Sequence, residues 1–253
     1  MREAVVMCAV AAVGCSAARA GQPSKSRVEP KADALLRKMS KQLASTKSFQ
    51  VDTDHVIEVV TTDDETLQFV ARSRVAVLRP NQVRSDRIGR VADMTFYYDG
   101  KEISLVGKRT GLYATTPAPE SLDAALDFAR DELDLEAPAA DLLYSDPYAG
   151  LMEDVESATY IGNEPVDDRM CHHLAYRAAE TDWQIWIEDG PRALPCRYVI
   201  RSKQIKGTPT FQVQFSNWKI APRFAADHFT FTPPGGGRQI DFVSRQTPTN
   251  VER

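Results

Sequence analysis

The feature that most constrains this chain is a long succession of short period-two runs, separated by turns and interrupted once by a helical stretch. "FQVDTDHVIEVVTTDDETLQFVARSRVAVLRP" begins it. Phe49, Val51, Ile57 and Val59 alternate with polar residues, "TTDDET" makes a turn, and a second run extends to Leu78 before Pro80 ends it. Such alternation puts one face of a strand on a core and the other in solvent. "QVRSDRIG", "MTFYYDG", "EISLVGK" and "GLYATT" follow as four more strands, with "YDGK" as a tight turn. Successive strands with no helix among them imply an antiparallel meander. After the interruption the pattern resumes as "ATYIGNEPV", "MCHHLAYRA", "DWQIWIED", "PCRYVIRSK" and "TFQVQFSNWKI", and the end, "FTFTPPGGGRQIDF", is extended and turn-rich.

Two segments have helical spacing instead. "KADALLRKMSKQLASTKSF", from Lys31, places Ala34, Leu35, Met39, Leu43 and Ala44 on one stripe. "SLDAALDFARDELDL" spaces Leu122, Ala125, Leu126, Ala129 and Leu133 in the same way behind an N-cap at Ser121, and short turns interrupted by Pro147 follow. This insert runs from about Glu120 to Glu153. The expected fold class is therefore α+β. It is a long curled antiparallel sheet of roughly ten or eleven strands, too large to stay flat, forming a half-barrel. The N-terminal helix and the helical insert lie against its concave face. A single domain is expected over residues 31–245, with a linker at 21–30 and a tail at 246–253.

The N-terminus is a targeting segment. "MREAVVMCAVAAVGCSAARAGQ" has a charged start, an apolar run and an A-x-A exit at Ala18-Arg19-Ala20, the layout of a secretory signal over residues 1–20. An alternative is lipidation at Cys15, since "AVGC" resembles a bacterial lipobox, although Ala12 stands where Leu is usual. Either reading exports the chain to the periplasm, with membrane contact only if Cys15 is lipidated. No later stretch approaches the roughly 18 apolar residues of a membrane-spanning helix. A net charge of −4, with Lys and Arg scattered, gives no basic patch for nucleic acid.

Export bears on the richest stretch, "CHHLAYRAAETDWQIWIEDGPRALPC". In an oxidising compartment Cys171 and Cys196 are expected to pair as a disulfide; free thiols and a metal site are the alternatives. Strand alternation separates His172 from His173, which disfavours a shared metal, and turns Trp183 and Ile185 to the interior with Trp186 opposite. No G-x-S-x-G elbow occurs, and "PPGGGRQ" lacks the Lys-Ser/Thr of a phosphate loop. The pairs Asp63-Asp64, Asp167-Asp168 and Glu188-Asp189 fall in turns. His55, on the apolar face of the first strand, reads as a core or cavity residue and His228 as a loop residue; they are the bases a hydrolase reading would need.

The alternating apolar stripes remain. Core packing accounts for most of them, but a curled sheet with few helices can leave part of its concave face as a cavity. The expected lining is Val51, Ile57, Phe69, Phe96, Trp183, Ile185 and Phe211 on the sheet, with Leu126 and Leu133 of the insert as a lid.

"HLAYR", "DWQIWIEDG", "LPCRYVI", "FSNWK" and "FTFTPP", with "ADALLRKMSKQLASTKSF" and "TFYYDGK" earlier, resemble a family of predicted bacterial periplasmic proteins related to the outer-membrane lipoprotein carrier (LolA-like) superfamily. The resemblance covers most of the chain after the signal. It implies a half-barrel with helices on its concave face. It further implies a lipid, or the acyl chain of a lipoprotein, as ligand, or an envelope protein as partner in a stress-sensing module. It carries over no catalytic residue. The longer insert and the lipobox-like start depart from true carriers. The expectation is a non-enzymatic periplasmic binding protein without cofactor or metal, with the interaction module and the hydrolase as alternatives.

Overall fold

The computed structural model describes residues 27–90, 92–135 and 137–242. The signal, Cys15, most of the linker and the tail lie outside the described residues. The chain starts with β1 (Arg27–Val28), helix α1 (Pro30–Ser45) and the first meander. That meander is β2 (Ser48–Val60), β3 (Thr66–Leu78), β4 (Gln82–Gly89), β5 (Met94–Tyr98), β6 (Glu102–Gly107) and β7 (Leu112–Pro117). The insert follows as α2 (Leu122–Asp131), a 3-10 turn (Ala140–Leu143) and α3 (Pro147–Met152). The second meander is β8 (Val155–Val166), β9 (Arg169–Ala178), β10 (Thr181–Glu188), β11 (Pro195–Ser202) and β12 (Thr210–Ile220), and β13 (Arg238–Gln239) comes last.

All strands belong to one unclosed 13-stranded sheet in the order β1-β8-β9-β10-β11-β12-β2-β3-β4-β5-β6-β7-β13. The eleven long strands are those read from alternation. The two short ones are additions: Arg27 and Val28, expected in a linker, pair in parallel with Ser157 and Ala158, and Arg238 and Gln239 pair in parallel with Leu112 and Tyr113. Each covers an edge that would otherwise present open hydrogen-bonding groups.

The order explains the position of the helices. β7 and β8 are consecutive in sequence but stand near opposite edges, so the insert between them must cross the bowl of the sheet. Ser121 Oγ accepts from Ala124 N at 3.2 Å and starts α2, as its sequence predicts. Pro147 opens α3 rather than interrupting a turn. A proline at the first helical position gives up no intrahelical hydrogen bond, and Asp146 caps it by accepting from Ala149 N at 3.1 Å.

Helix α1 lies in the same bowl, but its buried stripe is Ala32, Leu36, Met39, Ser40 and Leu43, with Ala34 exposed and Leu35 half-buried. Adjacent leucines make the pattern degenerate. Stripes through Leu35 and through Leu36 share Met39 and Leu43, and packing selects the one with small Ala32 and Ser40, which let the helix sit close to the sheet. Tyr176 Oη donates to Ala32 O at 3.3 Å, and Arg37, bonded to Asp33 at 2.8 Å, lies 3.8 Å over the Tyr148 ring of α3. One continuous core joins α1, the insert and the inner face of the sheet.

Candidate ligand-binding site

The helices do not fill the bowl evenly. Over the second meander the filling is tight: Tyr176 and Trp183 stack with centroids 3.7 Å apart, Tyr198 meets Trp183 edge-on at 5.7 Å, and Ile185 is wholly buried. Val51, Trp183, Ile185, Phe211 and Leu133 belong to this packed core. Ile57, Phe96 and Leu126 are half-buried against it. Phe69 pairs with Ile57 toward the tip of the β2–β3 hairpin and is also half-buried. There Val59 and Leu67, directly paired, are each 43% exposed, so the inner face opens toward that end.

Unfilled space lies over the other wing. A cleft of about 420 Å³ is walled by Met94, Leu105, Leu112 and Ala114 on the sheet, by Leu133 and Leu135 after α2, and by Ile240 and Phe242. That volume is within the ~300–1,000 Å³ typical of ligand pockets. Of the nine residues expected to line a cavity, Leu133 is the one on its wall. Met94 and Leu105 share the inward phase of Phe96, with which Leu105 pairs, so alternation could have found them. Ile240 and Phe242 could not have been found that way, because an irregular segment delivers them. From Phe224 to Phe231 this segment crosses the convex face. Arg84 Nη1 donates to His228 O at 3.2 Å, and Phe231 packs at 5.7 and 5.3 Å from Tyr97 and Tyr113. It then rounds the β7 edge as β13 and brings Phe242 to the cleft.

Between the packed half and the cleft runs a polar row. Thr53, Ser73, Arg87 and Met94 are successive cross-strand partners on β2 to β5, facing inward. His55, next along β2, places Nε2 2.7 Å from Thr53 Oγ1 and 3.1 Å from Ser73 Oγ, while its ring lies 5.7 Å from Phe211. Burial, and secondarily the nearby Arg87 charge, push its pKa down to about 4, so it is neutral at physiological pH. His55 Nδ1 and Arg87 Nε are buried without a hydrogen-bond partner among the described residues. A Ser–His contact therefore exists, but the other ring nitrogen lacks the orienting carboxylate of a nucleophilic triad.

The disulfide of the cysteine-rich stretch lies on the opposite, convex face. Cys171 and Cys196 form a disulfide that links β9 to β11 across β10. A register shift between Trp186 and Ile187, which pair with Arg197 and Pro195, leaves Cys196 as the extra residue of a bulge. His172 lies 3.2 Å from Asp189, whereas His173 stacks on Trp186 at 4.0 Å, so the two histidines diverge as alternation requires. The disulfide consumes both thiols, which removes the free-thiol and thiolate-metal alternatives. Among the described residues no group of three or more His, Cys, Asp or Glu is placed to hold a metal. His228 stacks on Phe224 at 4.7 Å in a turn of the convex segment.

Residues 32–243 match the family described as predicted periplasmic protein, DUF2092. The chain belongs to that family. The DUF2092 assignment places the protein in the periplasm, consistent with its disulfide. Among solved structures, an uncharacterized conserved protein from Thermus thermophilus is 11% identical over 83% of this chain and 99% of its own, with a TM-score of 0.50. LprF from Mycobacterium bovis is 17% identical over 84% and 100%, with a TM-score of 0.49. The LolA superfamily protein NE2245 from Nitrosomonas europaea is 13% identical over 79% and 97%, with a TM-score of 0.39. The likeness to the Thermus protein concerns the fold alone, a large unclosed antiparallel sheet with helices on its concave face. No curated protein matches its sequence.

Proposed function

We propose that this DUF2092 protein is a non-enzymatic periplasmic binding protein for a hydrophobic ligand, a lipid or the acyl chain of a lipoprotein, held in the half-barrel. The observation that carries this reading is the apolar cleft of about 420 Å³ on the concave face, left between the β5–β7 wing and the insert. Burial contributes roughly 0.8 kcal/mol per methylene, so about ten buried methylenes match the free energy of micromolar binding. Phe96, half-buried on the same inner face, borders the cleft through its partner Leu105, and Ile57 and Phe69 add a separate apolar surface near the hairpin tip. Val51, Trp183, Ile185 and Phe211 form the floor beneath the helices, with Leu126 and Leu133 on the covering side.

The test is direct. Protein purified from a periplasmic fraction is analysed by native mass spectrometry and lipid extraction, and fluorescent fatty acids are titrated into the delipidated form. Co-purifying lipid, or saturable binding displaced by unlabelled fatty acid, is the expected result. Absence of both overturns the proposal.

A further inference from the structure

The convex face of the first meander carries its charges in pairs. Arg72 meets Asp54 at 2.8 Å, Arg74 meets Asp52 at 2.8 Å, and Arg84 meets Asp86 at 2.9 Å. Arg87 breaks this arrangement. It points to the concave side, is partly buried, and makes no ion pair with any described residue; burial alone accounts for the lowering of its pKa, with no carboxylate contribution. Arg79, the other partly buried arginine with an unpaired Nε, at least donates to Tyr144 O at 3.2 Å and feels the charge of Asp123. A half-buried guanidinium facing apolar surface without a counter-charge is costly unless something supplies one.

The neighbours of Arg87 indicate what that is. Met94, its cross-strand partner, lines the apolar cleft, as does Gly107, the partner of Met94. On the other side Ser73 and then His55, with its unpartnered Nδ1, continue the polar row. Asp134 and Asp241 stand on the cleft's edge, where their charge disfavours an anion. We infer that the ligand is an anionic amphiphile whose alkyl chain lies in the cleft and whose carboxylate or phosphate head is held by Arg87, beside His55 and Ser73. The guanidinium suits either head because it offers paired donors to two oxygens. This inference rests on the lipid-binding reading and adds the chemistry of the head.

The experiment compares ligands that share a chain and differ in head. Palmitate is set against hexadecanol, and lysophosphatidylglycerol against lysophosphatidylcholine, each by displacement of a fluorescent probe from the delipidated protein. Wild type should prefer the anionic member of at least one pair by tenfold or more, about 1.4 kcal/mol. Preference within the first pair identifies a carboxylate head and within the second a phosphate head. Arg87→Gln should abolish the preference and leave hexadecanol binding unchanged, whereas Arg87→Lys should retain part of it. Arg87→Met, which keeps the apolar stem, replaces Gln if that variant fails to fold. A wild type without preference, or a preference that survives both neutral variants, overturns the anionic-head assignment while lipid binding stands. If none of the four amphiphiles binds, both readings fall together.

Discussion

The Tyr198 hydroxyl of β11 donates to the Asp141 carboxylate at 3.3 Å, joining the concave face to the 3-10 turn of the insert that covers it. Burial raises the pKa of Asp141, and burial followed by the Asp141 charge raises that of Tyr198 well above its ordinary value. A carboxyl that binds its proton more tightly when folded favours the folded state at low pH and loses that advantage as pH rises through its folded pKa. Asp141→Asn, which keeps the shape and removes the titration, is therefore expected to raise the melting temperature at pH 7.5 and to have little effect near pH 3.5. Differential scanning calorimetry at the two values checks this; equal shifts at both would refute it.

His55 acts in the opposite direction. The unfolded chain takes up its proton near pH 6.5, the folded one only near pH 4. Acidification through that interval should therefore destabilise the protein, with full stability above it. His55→Phe should flatten the stability profile between these limits, read as urea midpoints from pH 4 to 7. The folded wild-type His55 ring should show an NMR titration midpoint near 4.

The disulfide spans a sequence separation of 25 residues. Closing a loop of that length removes unfolded-state entropy worth about 3.5 kcal/mol. The double variant Cys171→Ser, Cys196→Ser should lose roughly that much, a fall of about 7–14 °C in melting temperature. Thermal melts with and without reductant check it, since reductant should lower wild type and leave the variant unmoved.

Leu36 and Leu35 separate the two candidate stripes of α1. Leu36 is fully buried, so Leu36→Ala should cost about 2–5 kcal/mol. Leu35 retains exposure, and Leu35→Ala should cost well under half of that. Urea denaturation of the two variants decides which stripe faces the sheet.

Ala114 lies on the cleft wall and is 5% exposed. Ala114→Phe should fill the cleft and weaken fatty-acid binding at least tenfold. Leu67→Ala, at the exposed hairpin tip, should change binding by less than a factor of two. A reversed order would move the site to the hairpin end of the bowl.

Much of this fold was legible because alternation is a local signal. "TFQVQFSNWKI" and "DWQIWIED" announce their buried faces residue by residue, and Trp183 and Trp186 point to opposite sides as their spacing requires. The cleft was less legible. Its sheet wall continues the phase of Phe96 through Leu105, but which stretch of the inner face stays uncovered depends on where the insert rests. That follows from the placement of β7 and β8 on distant sides of the sheet. Arg87 was within reach, as the one arginine in "QVRSDRIG" on the phase of Val83, but nothing in the sequence shows that it lacks a partner.

The seam between the two meanders has a consequence for biogenesis. Phe49 pairs with Ile220 and Ile57 with Phe211, so the middle of the sheet is closed by segments from opposite ends of the polypeptide. An exported chain emerges N-terminus first, and β2 has only β3 to pair with until β12 has crossed the inner membrane. The core beneath α1 therefore cannot close during translocation. Pairings this distant in sequence also form slowly. Until β12 arrives the first meander lacks its partner strand at the seam, so the two halves of the sheet join only after the last long strand of the domain has been delivered.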